Sequence, residues 1–184
     1  MQNEKRLASD YLNKFARLIR MILDSSRSEV VPLLKDMESL QLYIELEQLR
    51  FAGKFSYQSY VDPQLLNGDY KIPSLLIQPY VENAIIHGIA HSEKANLQLF
   101  VSVTLDGDTI KYTIRDNGVG RQQAADYNLR NKPGHQSVGL MITQDRILHF
   151  NQKHQANGSI VIKDLFDEHH DPSGTQVDVT IKYS

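Results

Sequence analysis

The chain reads as an α+β protein: a two-helix lead-in, then an α/β sandwich whose mixed, largely antiparallel sheet carries helices on one face. Three observations predict this. The N-terminal part places apolar residues at three- and four-residue steps. The middle holds a strictly alternating run that turns back on itself through Asp-Gly-Asp. The C-terminal part holds two more strand-like runs behind a helical one. With 184 residues, 41% hydrophobic and 23% charged, the chain suits one globular domain with a small helical appendage.

In chain order, Leu7, Tyr11, Phe15, Leu18 and Ile22 mark an amphipathic helix that the run Ser25 to Ser28 breaks. A second helix begins near Pro32, a residue suited to a first turn, and Gly53 is its stop. It carries Leu33, Met37, Leu40 and Ile44 on one side and Leu34, Leu42, Leu46 and Leu49 on others, a wide apolar surface for a lone helix. Residues 1–53 therefore read as a helical hairpin that packs on a partner or on the following domain, residues 54–184. Phe55, Tyr57 and Val61 suggest a strand closed by Asp62-Pro63. Pro73 to Gly88 reads as a helix whose start is adjusted around Pro79.

Leu97, Leu99, Val101, Val103 and Leu105 alternate as a half-buried strand does. Asp106-Gly107-Asp108 turns it, and Ile110, Tyr112 and Ile114 return as its hairpin mate. Arg121 to Gln136 is polar and aperiodic, a long loop of the kind that is often functional. Ser137 to His154 reads as a helix. Ser159 to Phe166 and Gln176 to Tyr183 are the final strands, joined by the polar DEHHDPSG.

The totals exclude several classes. A net charge of −2 gives no general attraction to nucleic acid or anionic lipid, and no basic-aromatic stripe is present. Without Cys there is no disulfide framework and no thiolate metal site, which fits a cytosolic setting. No apolar run is long enough to cross a bilayer, and the N-terminus has no signal-peptide pattern. The opening MQNEKRLASD already heads into a helix, so the chain reads as a fragment of something longer.

Four stretches could carry chemistry. In IRDNGVGR, Asp116 closes the hairpin's second strand, and Gly118 and Gly120 let the backbone turn or lie close against a flat ligand. An ionised Asp there can accept from an exocyclic amine. Taken alone, Asp-Asn-Gly reads more simply as a strand-exit turn. In VENAIIHG, Asn83 and His87 stand one helical turn apart, and an Asn carbonyl oxygen suits Mg²⁺; for a solitary Asn, a wet helix face is the simpler reading. Ser137 and Gly139 sit where the loop becomes a helix, which is either a phosphate seat or an N-cap with a packing glycine. Gly174 and Thr175 lead into the last strand. His169-His170 reads as a solvated turn rather than a metal site.

The order of these stretches resembles the Bergerat ATP-binding fold shared by gyrase, heat-shock chaperones, histidine kinases and MutL-type proteins. LQLYIELEQLRF, IPSLLIQPYVENAIIHG and SVGLMITQDRI narrow the resemblance to the LytS-type sensor histidine kinases, across nearly the whole chain. The resemblance implies that Asn83 holds Mg²⁺ bound to the phosphates of ATP. It implies that Asp116 recognises the adenine amine, with Gly118 and Gly120 shaping that wall. Arg121 to Gln136 would be the ATP lid. Ser137, Gly139 and the helix after them would face the phosphates, Thr175 would sit beneath the adenine, and His87 would line the phosphate or ribose region.

Two departures qualify it. His135 and Ser137 stand where many relatives have Gly. The family's phosphoacceptor lies in an Asn-Pro-His-Phe motif, and none of the seven histidines has that context, so the acceptor is expected upstream. The fold's ATPases place a Glu four residues before the metal Asn to activate water; here that position is Pro79, which argues against hydrolysis. The resemblance thus implies the cytoplasmic catalytic part of a membrane-anchored sensor, homodimeric when intact, passing phosphate to a response regulator. A degenerate, non-catalytic Bergerat module that regulates a partner by binding is the alternative.

Overall fold

The computed structural model describes residues 2–124, 126, 145, 147–152 and 157–183, with side chains from Arg6 and from Ala8 onward. Helix α1 spans Gln2–Ser26 and α2 spans Leu33–Arg50; between them Val30–Pro32 forms the short strand β1. Strands β2 (Phe55–Val61) and β3 (Lys71–Pro73) precede helix α3 (Gln78–Asn83). The chain then continues without a break into a π-helical stretch, Ala84–Ile89. A 3-10 turn, Pro63–Leu66, lies between β2 and β3, and strands β4 (Leu97–Asp106), β5 (Thr109–Asp116), β6 (Ser159–Phe166) and β7 (Pro172–Lys182) follow.

The main sheet runs β2-β4-β5-β7-β6. β2 pairs parallel with β4 and the other neighbours are antiparallel, so the expected mixed, largely antiparallel sheet is present. The parallel pair demands a crossover, and the segment holding α3 supplies it. Alternation sorts the two faces. Leu97, Leu99, Val101 and Val103 of β4, Ile110, Tyr112 and Ile114 of β5, and Val177, Val179 and Ile181 of β7 meet Ile77, Val81, Ile85 and Ile89 in one core. Each such side chain contributes about 1.5–3 kcal/mol by leaving water. The opposite face is largely polar; there Asp178 accepts from Lys163 Nζ at 2.8 Å and Thr113 Oγ1 at 2.8 Å.

The wide apolar surface of α2 has two uses. Leu33, Leu40 and Ile44 join the main core, while Leu42 and Leu46 pack with Leu18 and Met21 of α1. Lys14–Glu45 and Arg17–Glu38 ion pairs link the same two helices. Helix α1 differs from its expected single stripe: Phe15 is exposed and forms a second stripe with Leu12, Ile19 and Leu23.

The helix predicted from Pro73 starts later. Pro73 ends β3, which pairs with β1, and α3 begins at Gln78. Pro79 lacks an N–H and fits only the first turn, so helix cannot run far upstream of it. The intervening turn holds Leu75 at φ +56°, with its N–H donated to Asp36 Oδ1 of α2 at 3.0 Å. Strand β7 begins at Pro172 rather than Gln176, because β6 pairs across Gly174 with a register shift near Phe166. Arg121–Ala124, read as loop, is helical. The rest of the proposed lid up to Gln136 lies almost wholly outside the described residues. Of the helix expected over 137–154, residues 145 and 147–152 are described, and all are helical.

Candidate functional site

The site grows from the end of β5. Asp116 lies opposite Leu99 of β4 and Thr175 of β7. Alternation points it, with Ile114, toward the helix-covered face, where it is 3% exposed. The helix that meets it does so at Gly88: a Cβ there would stand 2.7 Å from Asp116 Oδ1. A Cβ on Gly118 would lie 2.3 Å from the Gly88 carbonyl carbon. Only two glycines allow helix and turn to touch backbone to backbone. Val119 N–H donates to Gly88 O at 3.1 Å and seals the contact.

The winding of the helix matters here. Ala90 N–H reaches back to Ile85 O at 2.8 Å, five residues away, as a π-turn requires. Such stretches are rare and are frequent at functional sites. The two remaining glycines have separate reasons. Gly120 takes φ +79°, and Gly174 takes φ +141°, where a Cβ would fall 2.0 Å from Asp116 O. Asn117 fastens the turn to the neighbouring strand, its Oδ1 accepting from Gln98 N–H at 2.7 Å and its Nδ2 donating to Asn96 O at 3.0 Å.

Burial pushes the Asp116 carboxyl up to about 6. Hydrogen bonds from the backbone of Gly118 and Thr175 and the field of Lys94 work in the other direction. Gly118 N–H sits 2.9 Å from Oδ1. An ionised carboxylate offers about four acceptor positions, so these backbone donors leave capacity for another donor.

The same helix carries Asn83, at the junction of its α- and π-wound parts, five residues before Gly88. Asn83 and His87 are both half-buried. Glu82, next to Asn83, is engaged elsewhere: it accepts from Gln78 Nε2 at 2.9 Å. Burial raises its carboxyl, the Gln78 bond opposes this, and the charge of Glu47 on α2 adds to the rise. Among the described residues no cluster of three or more metal-ligating side chains occurs. A divalent ion at Asn83 would take most of its ligands from phosphate and water oxygens.

The structure thus brings Asp116, Gly118, Gly120 and Thr175 together and sets Asn83 and His87 on the helix that walls them. Ser137 and Gly139 lie outside the described residues. Sequence reasoning assigned no role to Gly88, Asn117 or Lys94. A glycine inside an otherwise apolar helical run was the available signal for Gly88; the other two gave none. The donor and acceptor chemistry fits an adenine nucleotide: a buried carboxylate with spare acceptor capacity stands at a turn whose glycines let the Asn83 helix pack directly against it.

Comparison with known proteins places this arrangement. The fold is that of histidine-kinase catalytic domains. The full-length ShkA kinase in complex with AMPPNP superposes with TM-score 0.55 at 14% identity, over 97% of this chain and 37% of that one. ThkA in complex with the response regulator TrrA gives TM-score 0.52 at 13% identity, over 97% and 50%. A family model described as histidine kinase matches residues 1–55. The sensor protein LytS of Oceanobacillus iheyensis is 34% identical over 130 residues, which is 71% of this chain and 22% of the relative. The chain belongs to the LytS-type sensor histidine kinases, and it spans about a fifth of the length of the curated relatives it matches.

Proposed function

We propose that this chain is the ATP-binding catalytic part of a two-component sensor kinase, residues 54–184 binding Mg²⁺·ATP and residues 1–53 belonging to the dimerisation region. The observation that carries the reading is the buried Asp116 carboxylate packed against Gly88 of the helix that carries Asn83. Asp116 accepts the exocyclic amine of adenine. Gly118 and Gly120 shape the turn on the adenine side, and Thr175 lies beneath the base. Asn83 offers its amide oxygen toward the metal-bound phosphates. Mg²⁺·ATP supplies the γ-phosphoryl group, and the acceptor is a histidine upstream of Met1, from which the group passes to a response-regulator aspartate.

Phosphoryl transfer depends on positioning and charge stabilisation rather than on a base in this chain. Pro79 stands in the first turn of α3, where the fold's ATPases place their glutamate, and Glu82 is held by Gln78. Transfer to a neutral imidazole is therefore favoured over hydrolysis. The stripe of Leu12, Phe15, Ile19 and Leu23 supports a homodimer formed through α1. Membrane attachment, in this reading, belongs to segments outside the chain, and the catalytic part is cytoplasmic.

The test is a chain extended upstream to include the acceptor histidine, incubated with labelled ATP and Mg²⁺. Acid-labile protein phosphate is expected. Nucleotide binding without such phosphate would contradict the kinase reading. Absence of nucleotide binding would favour the non-catalytic module.

A further inference from the structure

The loop between the π-helix and β4 carries a cation that the nucleotide reading has not used. Lys94 extends from residues 91–96 across the mouth of the Asp116 turn. Its Nζ donates to Gly118 O at 3.0 Å and reaches Pro172 O at 3.4 Å. Its own backbone is anchored, with Lys94 N–H donating to Oγ of Ser92 at 3.3 Å, and Ser92 is buried. One ammonium therefore joins three segments that are far apart in sequence: the loop after the Asn83 helix, the Asp-Asn-Gly-Val-Gly turn and the start of β7. Asn117 ties the same loop to the turn from the other side through Asn96 O.

We propose that Lys94 is a positioning residue for adenine recognition, clamping the Gly118 and Pro172 carbonyls and setting the charge state of Asp116 without touching the nucleotide. The proposal rests on the nucleotide reading. The charge argument follows from what surrounds Asp116. From β4 it faces Leu99, from β7 Thr175, and from the helix Gly88, none of which ionises. His87, one residue before Gly88, is the nearest titratable position along that helix. Among the described residues, Lys94 supplies the charge that favours the Asp116 carboxylate against burial. An amine donor needs that carboxylate ionised, because a protonated carboxyl has lost acceptor capacity.

The clamp also explains a lysine whose charge meets carbonyl dipoles instead of a carboxylate. Gly118 is held through both of its backbone groups: its N–H, in the peptide shared with Asn117, donates to the acid, and its carbonyl, in the peptide shared with Val119, accepts from the ammonium. Removing the ammonium frees the Gly118 and Pro172 carbonyls and raises the proton affinity of the acid together.

The experiment uses the chain as it stands, with Lys94→Met and Lys94→Arg variants. Carbon-13 carboxyl shifts of Asp116 are followed against pH without ligand, and adenosine, which carries no phosphate to titrate, is bound at pH 6 and pH 8. In Lys94→Met the Asp116 midpoint is expected to move to higher pH. Adenosine affinity is expected to fall about threefold at pH 8 and about tenfold at pH 6, with Lys94→Arg within about twofold of the parent. An unchanged midpoint, or equal loss at both pH values, overturns the role of Lys94 and leaves the nucleotide reading intact. A parent chain that binds no adenosine overturns both.

Discussion

Replacing Asp116 by Asn should stabilise the unliganded protein while removing adenine binding. The acid's folded value is raised to about 6 from an ordinary 3.8, with burial as the leading cause. A raised carboxyl binds more protons in the folded state than in the unfolded one between those two values. Stability therefore falls as pH rises from 4 to 6, and the full penalty persists above 6. Roughly two units at about 1.4 kcal/mol each give a ceiling of about 3 kcal/mol at pH 7.5. An amide oxygen can still accept from Gly118 N–H, while its NH₂ needs an acceptor that an oxygen did not, so the realised gain lies below that ceiling. Urea unfolding of parent and variant at pH 7.5 and at pH 4.5, with shared slopes, measures the difference. The variant should be more stable at pH 7.5, and most of the advantage should vanish at pH 4.5. A variant less stable than the parent at pH 7.5, or a gain that does not change with pH, refutes the reasoning.

Other expectations follow from the same geometry. Gly88→Ala places a methyl 2.7 Å from Asp116 Oδ1 and should weaken adenosine at least about tenfold while costing about 1–3 kcal/mol, read by calorimetry and thermal melting. Asn83→Ala should abolish the gain in AMPPNP affinity that Mg²⁺ provides and leave adenosine affinity unchanged, read by calorimetric titration with and without the metal. Ile44→Ala, at a fully buried joint between α2 and the sheet core, should cost about 2–5 kcal/mol in urea unfolding. Ile19→Glu, on the exposed α1 stripe, should leave monomer stability within about 0.5 kcal/mol and reduce self-association in sedimentation.

Periodicity made the long elements legible. β4 and β5 announce themselves because alternate residues face one core, and α2 shows its wide apolar surface because it is sandwiched between sheet and α1. The short strands β1 and β3 escaped, since three residues carry no period and their pairing joins segments about 40 residues apart. The late start of α3 turns on Asp36 holding a left-handed Leu75, a tertiary hydrogen bond invisible to local pattern. At the site, Asp116, Gly118 and Gly120 were visible as residue types out of place in a strand. Their partner Gly88 shows in the sequence only as a glycine inside an apolar helical run; its necessity comes from a π-turn that brings it against the acid. Lys94 looked like any surface lysine until its two carbonyl partners were known.

The central claim is that Asp116 and the Asn83 helix serve two ends of one nucleotide. Amide resonances recorded during titration with adenosine and then with Mg²⁺·AMPPNP test it most directly. Adenosine should move Gly88, Gly118 and Gly120 and leave Asn83 in place, and Mg²⁺·AMPPNP should then move Asn83 as well. Shifts confined to one end with the complete ligand, or no saturable shift at Gly118, would contradict it.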